Sequence, residues 1–458
     1  MSNSGSFSRR KFIKMSALAA GAAVAARGLT FPRPSNAADT TEITVFCSGR
    51  DLEKNYQAVI ADAFNAKMQA DGKPVRAKLT PGPATDNDFR TKFNLDAASG
   101  TMSDVVFFQN SDYQDTVAAG YLADLTPMLT AAGVWDKFVP VIQQQLTING
   151  KVYALSDAST FTLFYRKDLL TESGIDDTQP NTWDDFFALC DKIATKTKAT
   201  PAGIPAARPW GGGTWDEGFR HVWLGFAKSE EIFDPVSSKW VVKSPGLLSA
   251  LKVYETLAKN KWLTVEMLLS PNPWQPIKYD GFPKKTVAVV TGGDWQWEFD
   301  WGPKGATPID GVLDKVGRWQ FPSAVSKPFA TTGLGRVCGV YSKSPNAQAA
   351  FDYVNFANSP EGSCKALETY FGGPSARTDY AASCKFYNTA VGGKMLEADK
   401  SLANGRFLKA GTGQSKIADG IALATENIIT GAQTAEAAMD DFAKKMTDQL
   451  GDSAVKTL

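Results

Sequence analysis

The chain has a single histidine, His221, in 458 residues, and its five cysteines, Cys47, Cys190, Cys338, Cys364 and Cys384, form no C-x-x-C pair. Zinc and iron–sulfur sites and histidine-based triads need ligands or bases that such a chain barely owns, so no metal and no cofactor is expected. The cysteines read as small buried hydrophobes. Cys364 and Cys384 flank a turn-rich segment and could form one disulfide in an oxidising compartment. His221, in "GFRHVWLGF", reads as an ordinary helix residue. No run past residue 37 reaches the ~20 apolar residues of a membrane-spanning helix, and no Lys/Arg cluster offers a footprint for nucleic acid or an anionic membrane.

The first residues carry an address. Ser8-Arg9-Arg10-Lys11-Phe12-Ile13-Lys14 precedes a mildly apolar run, Met15 to Ala26, and a small-x-small cleavage signal, Ser35-Asn36-Ala37. The apolar run is too short and too rich in Ala and Gly to span a bilayer. This order looks like a twin-arginine export signal over residues 1–37. It implies a passage through the twin-arginine translocase and a mature chain starting near Ala38, free in a bacterial periplasm and without a lipid anchor. Those residues carry six basic side chains and no acid, so losing them takes the formal net charge from +1 to −5. With 43% hydrophobic residues the remainder is globular, with core enough for two to three domains.

One loop is unusual. "TGGDWQWEFDWGPKG", Thr291 to Gly305, spaces Trp295, Trp297 and Trp301 with Asp294, Glu298 and Asp300. A core takes the rings but resists the acids, because an unpaired buried carboxylate is costly. A ligand that is half apolar and half hydroxylated, such as a sugar, suits both.

Strand and helix signals alternate from the start of the mature chain. "EITVFC", "VRAKLT" and "DVVFF" read as strands, with helical spacing in "LEKNYQAVIADAFNAKM" and "DFRTKFNLDAASG" between them. Helices of that size between strands mean parallel pairing in an α/β layer. Ligands in such sheets sit beyond the carboxyl ends of strands, which points to Ser48 through Asp51 and Gln109 through Tyr113. "KVYALS" and "TLFYRK" read as a strand pair with Asp157 to Thr160 between them. Thr182 is the expected N-cap of "NTWDDFFALCDKIATK", with Asp185 completing a capping box. "ATPAGIPAARPWGGGTW" is a long Pro/Gly loop carrying Trp210 and Trp215, and long loops are commonly functional. "TVAVVT" and "VCGVYS" read as strands either side of the tryptophan loop, and the chain after about Ser359 reads as mostly helical.

Six stretches in register, "SDVVFFQNSDYQDTVAAGYLADLTPM", "GKVYALSDASTFTLFYRKDLLTESGI", "PNTWDDF", "GFPKKTVAVVTGGDWQWEFDW", "SPNAQAAFDYVNFANSPEG" and "FGGPSAR", resemble the extracellular solute-binding proteins of ABC importers. Within that group the chain is similar to the maltose-binding branch, over essentially Ile43 to Leu450. The resemblance implies two α/β lobes, a ligand in the cleft between them and three hinge crossings. Lobe one would hold 38–159 plus 319–358 and lobe two 160–318 plus 359–458. Three crossings make a hinge that bends without slipping.

Carried over by the same resemblance, Phe108 falls where that branch stacks an aromatic on sugar, and Asn110, Ser111 and Asp112 fall in its binding loop. Arg50 and Asp51 match a polar pair that reaches the ligand, and Ser159 falls where the maltose binder has an acid. Trp295 matches a stacking tryptophan, with Trp297 and Trp215 as further candidates. Arg220 replaces an aromatic, and Arg377 sits near the third crossing. Arg50, Arg220, Arg336 and Arg377 would favour an anionic ligand if they converge. The resemblance implies a monomer that is no enzyme, which captures a mono- or oligosaccharide by hinge closure and delivers it to an inner-membrane permease. Two alternatives stay open: a glycoside-active enzyme using the acids beside the tryptophans, and the same fold holding a non-sugar such as a glycerophosphodiester or polyamine.

Overall fold

The computed structural model describes residues 40–369 and 376–458. The expected export signal and most of "FGGPSAR" lie outside the described residues. One eight-stranded mixed sheet runs through the molecule. Its strands are β1 (Thr41–Cys47), β2 (Val75–Pro81), β3 (Val105–Gln109), β4 (Ala154–Arg166), β5 (Thr200–Gly203), β6 (Val287–Gly293), β7 (Val316–Trp319) and β8 (Thr331–Val340). The order is β2-β1-β3-β8-β4-β6-β5, with β7 also paired to β4. β1 pairs in parallel with β2 and β3, as the helices between them require, whereas β8 runs antiparallel to both β3 and β4.

The segment expected as two strands around Asp157 to Thr160 is one 13-residue strand, β4. β8 pairs with it from Thr331↔Phe161 to Gly339↔Ala154, and this ladder carries the backbone straight through. The register shifts between Leu334 and Val337. Gly335 lies in that bulge, where a Cβ would stand 2.1 Å from Asp157 Oδ1, so only glycine fits.

Two buried apolar clusters flank the crossing. The first takes Ile43 through Ala158 and Leu334 through Ala357, with Ala366 and Ala376; the second takes Phe161 through Phe329, Leu367, and Tyr380 through Val455. β4 changes cluster midway, and β8 enters the first cluster just after Phe329 of the second, which makes two lobes strung on two paired strands. The helices of lobe one include α1 (Asp51–Ala70), α2 (Asp86–Ser99) and α3 (Tyr113–Ala118). Gly100 closes α2 in the left-handed region at φ 80°, as its place after the apolar spacing predicts. Lobe two adds α4 (Trp183–Lys196), where Thr182 and Asp185 form the expected reciprocal cap, and α5 (Pro245–Lys259). The C-terminal part is helical, with α6 (Ala347–Ala357), α7 (Pro360–Thr369), α8 (Ala390–Asn404), α9 (Gln414–Ile429) and α10 (Ala435–Leu450).

Trp210, Trp215, Trp223, Trp240 and Trp301 are fully buried in the second cluster, whereas the first relies on Phe and Tyr. Each such side chain stabilises the fold by roughly 1.5–3 kcal/mol through area removed from water. A disulfide joins Cys364 on α7 to Cys384, with Cα atoms 5.0 Å apart, and Cys47, Cys190 and Cys338 are buried thiols. His221 is buried in a short helix after all, stacked between Phe161 and Phe321 at 4.8 and 4.9 Å. Burial holds its pKa well below the ordinary 6.5, so the ring is neutral.

Candidate functional site

The lobe-one wall comes from the carboxyl ends of β1 and β3. Arg50, just before α1, donates from Nη2 to Asp86 Oδ1 at 2.5 Å and from Nε to Ala84 O at 3.0 Å. Arg90, one turn into α2, donates from Nε to Asp112 Oδ2 at 3.2 Å and reaches Asp419 on α9 with Nη1 at 3.3 Å. Burial pushes the Asp112 carboxyl up to about 6 while Arg90 pulls it back. Every charge of this wall has a partner of opposite sign.

The lobe-two wall is built differently. Two π-helical turns, Thr214–Phe219 and Gln275–Gly281, face one another. Such wide turns recur at functional sites because the extra residue re-aims a side chain. They are joined by a hydrogen-bonded ion pair in which Lys278 Nζ donates to Glu217 Oε2, with Lys278 only 1% exposed. Lys278 Nζ also lies 4.6 Å over the Trp274 ring, and Trp301 Nε1 donates to Lys278 O at 3.0 Å. Burial raises the Glu217 carboxyl despite the lysine, and it pushes Asp300 up to about 6 against the pull of Lys278. Asp300 Oδ1 is buried and accepts no hydrogen bond.

Where the strands cross, the two walls meet. Asp157 on β4 accepts from Arg336 N at 2.5 Å, and Arg336 stacks over Tyr56 at 4.5 Å. Asn110 Nδ2 donates to Leu334 O at 2.7 Å, tying the β3 loop to β8. From lobe two, Arg220 lies 5.0 Å over the Phe161 ring and pairs with Asp216 through Nη1 at 3.1 Å. The half-buried Trp295 meets the same Phe161 ring edge-on at 5.4 Å. Several buried polar atoms here have no hydrogen-bond partner among the described residues: Gln109 Oε1 from lobe one, Arg220 Nε and Nη2 and Asp300 Oδ1 from lobe two, and the hydroxyls of Thr331 and Thr332 on β8. A buried polar group left unmatched costs about 1–3 kcal/mol, so donors and acceptors gathered in one place are a site in search of a ligand.

A separate seam closes the rim. Asp115 on α3 accepts from Gly413 N at 2.5 Å, Ser415 N at 3.1 Å and Ser415 Oγ at 2.5 Å, capping α9 from the other lobe. The glycine run of the "PWGGGTW" loop packs beside it. A Cβ on Gly212 would stand 2.5 Å from Gln109 Oε1, so the backbone here comes close to the Gln109 side chain.

Against the twelve residues picked from the sequence, the structure gathers Arg50, Asn110, Ser111, Asp112, Ser159, Arg220 and Trp295 around the crossing and its rim. It places the other five elsewhere. Asp51 points outward with its side chain 87% exposed and pairs with Lys54. Phe108 packs inside lobe one against Phe93 at 5.5 Å. Trp215 lies between Trp223 and Trp240, and Trp297 packs edge-on to Phe164, both inside lobe two. Arg377 is in lobe one, where Asp379 and Asn358 O hold it. Of the three indoles in the loop, Trp295 alone is not buried. Asp294 is taken up by Thr160 N at 2.9 Å and Arg318 at 3.0 Å. The sequence points to Gln109 at its strand end and to Asp300 among the acids of the tryptophan loop, but not to Glu217, Lys278 or the seam through Asp115. Charges set among Gly and Trp in "GGGTWDEGF" and "NPWQPIKYDGF" are the one signal that could have flagged the π-turns.

Among the described residues no cluster of His, Cys, Asp and Glu could hold a metal ion, and no helix is long and apolar enough to cross a membrane. The fold is shared with the GacH receptor of Streptomyces glaucescens, described unliganded and with acarbose, at 19% identity and a TM-score of 0.72 over 90% of this chain and 99% of that one. Maltose-bound MalE3 of T. maritima matches at 22% identity and a TM-score of 0.74 over 89% of this chain and 100% of that one. By sequence, the arabinooligosaccharide-binding protein of Bacillus subtilis (strain 168) is 34% identical over 83 residues, so the match spans 18% of each chain. A family model for the bacterial extracellular solute-binding proteins matches residues 59–391. The two-lobed, strand-crossed protein with unmatched polar atoms in its cleft belongs to that family, the bacterial extracellular solute-binding proteins.

Proposed function

We propose that this protein captures a hydroxylated solute of the sugar class in the cleft where β4 and β8 cross, closes its lobes over it and hands it to an ABC permease in the inner membrane. The observation that carries the reading is the set of unmatched buried donors and acceptors drawn from both lobes and from β8. A polyhydroxylated ligand satisfies donors and acceptors at once, and the half-buried Trp295 offers a ring face to its C–H bonds. Arg50, Asn110, Ser111, Asp112, Ser159, Arg220 and Trp295 are the ligand-facing set. Among the described residues, lobe one then runs from residue 40 to Ala158 and from Leu334 to Ala357, with lobe two taking Phe161 to Phe329 and Tyr380 onward, and α7 between them contributing Ala366 to the first cluster and Leu367 to the second. A ligand touching both walls shifts the open–closed equilibrium by its differential affinity for the closed form. Export through the twin-arginine route to the periplasm as an unanchored monomer completes the proposal. The engagement of Asp294 by Arg318 and Thr160 speaks against a hydrolytic acid pair in the tryptophan loop.

The test is a thermal-shift panel of neutral and acidic sugars, polyols, glycerophosphodiesters and polyamines, each mixture analysed afterwards for product. A ligand at a hundred times its dissociation constant stabilises by about 2.7 kcal/mol. A sugar that raises the melting temperature and is recovered intact supports the proposal; a shift with the polyamines or glycerophosphodiesters alone, or a sugar returned cleaved, overturns it.

A further inference from the structure

Of the four arginines whose convergence would favour an anion, three are already engaged. Arg50 is held by Asp86 and Ala84 O, Arg336 by Asp157 and Arg377 by Asp379. Arg50 closes its Nε–Nη2 edge with Ala84 O and Asp86, and three other arginines close theirs with a single carboxylate. Arg166 gives that edge to Asp168 at 2.9 and 2.6 Å, Arg377 to Asp379 at 3.0 and 2.7 Å, and Arg208 to Glu426 at 2.9 and 2.5 Å. In each case both oxygens of one carboxylate close the fork, the strong bidentate geometry of a guanidinium.

Arg220 breaks the pattern. It is 7% exposed, and its one ion pair among the described residues, to Asp216, uses Nη1. The Nε and Nη2 atoms, the bidentate edge, are buried with no partner. The face of the guanidinium rests over Phe161, which fixes its plane, and Nη2 points toward Gly333 on β8, where a Cβ would come within 3.5 Å. Absence of a side chain at Gly333 leaves the edge unobstructed at the crossing of the two strands. A neutral diol could accept from this edge, but it would leave the buried charge under-compensated. Burial lowers the Arg220 pKa against the pull of Asp216 and Glu217.

We infer that the solute carries a carboxylate, as a uronic-acid sugar does, and that the Nε–Nη2 edge of Arg220 holds it. This rests on the sugar-capture reading and narrows it. The experiment is titration calorimetry of the purified protein with matched sets: glucose, glucuronate and glucose 6-phosphate; galactose, galacturonate and galactose 6-phosphate; and neutral and uronate-containing oligosaccharides. Expected is a uronate that binds at least about tenfold tighter than both its neutral and its phosphorylated counterpart. Arg220→Gln should cost the acidic member about a hundredfold and the neutral one at least tenfold less than that, erasing the preference, while Arg220→Lys keeps the charge and part of the preference. A neutral sugar that binds as tightly as its uronate sinks the inference and leaves sugar capture standing. So does a preference for the phosphate, or an equal loss for both members in Arg220→Gln. If no sugar of any kind binds, both readings fall together.

Discussion

The two walls of the cleft are made by different means. Lobe one presents its side chains from loops at the ends of parallel strands, and its arginines arrive already paired, Arg50 with Asp86 and Arg90 with Asp112. Lobe two presents its side chains from two π-helical turns, and Arg220 and Asp300 arrive with unmatched atoms. The contrast assigns them different jobs. A wall whose charges are all paired is a rigid platform; on the proposed reading, the wall with more open valences is where the choice of solute is made, since a ligand lacking the matching group leaves those atoms buried and unsatisfied.

The largest expected effect comes from dismantling the π-turn wall. Lys278→Met leaves Glu217 buried without its partner and should lower stability by about 3–5 kcal/mol at neutral pH, less in acid where the lone carboxyl takes a proton. Urea unfolding at two pH values measures it. A cost under about 1 kcal/mol at pH 7 would show that the pair does not hold the wall.

Asp300→Asn tests the open valence itself. The Asp300 carboxyl sits at about 6 in the folded protein against an ordinary 3.8, so the folded state holds its proton longer and stability falls as pH rises between those values. The variant lacks that loss. At pH 8 it should be more stable than the parent by on the order of 2 kcal/mol, with the gap closing toward pH 4. Melting curves across that range decide it, and a gap independent of pH would point to packing instead of charge.

The smallest effect belongs to the rim. Asp115→Ala removes the cap that lobe one lends to α9 and should favour the open form by about 0.5–2 kcal/mol. Affinity should then fall by the same factor for every ligand, because the change acts on closure and touches no solute. A change in the ranking of ligands would place Asp115 in the binding surface.

The asymmetry also explains what the sequence made legible. Strand ends and capping boxes rest on local rules, so β1, β3, the Thr182 cap and the loops at Arg50 and Asn110 could be read directly. The continuous β4 was read as two strands because Asp157 to Thr160 carries turn-like residues, and the ladder to β8 that overrides them is a long-range pairing. A π-turn has no propensity signal of its own, which hid Glu217 and Lys278. Trp215 and Trp297 were picked as binding faces because a sequence cannot say which side of a loop an indole faces. In the fold they serve the lobe-two core, a role that apolar bulk makes the commoner one.

The most direct measurement of where the solute sits is hydrogen–deuterium exchange with and without a saturating concentration of the sugar that stabilises the protein. Added protection should fall on Gln109 through Asp112, on both π-turns and on the β4–β8 crossing, in both lobes together. Protection confined to one lobe, or to a surface away from the crossing strands, would contradict capture between the lobes.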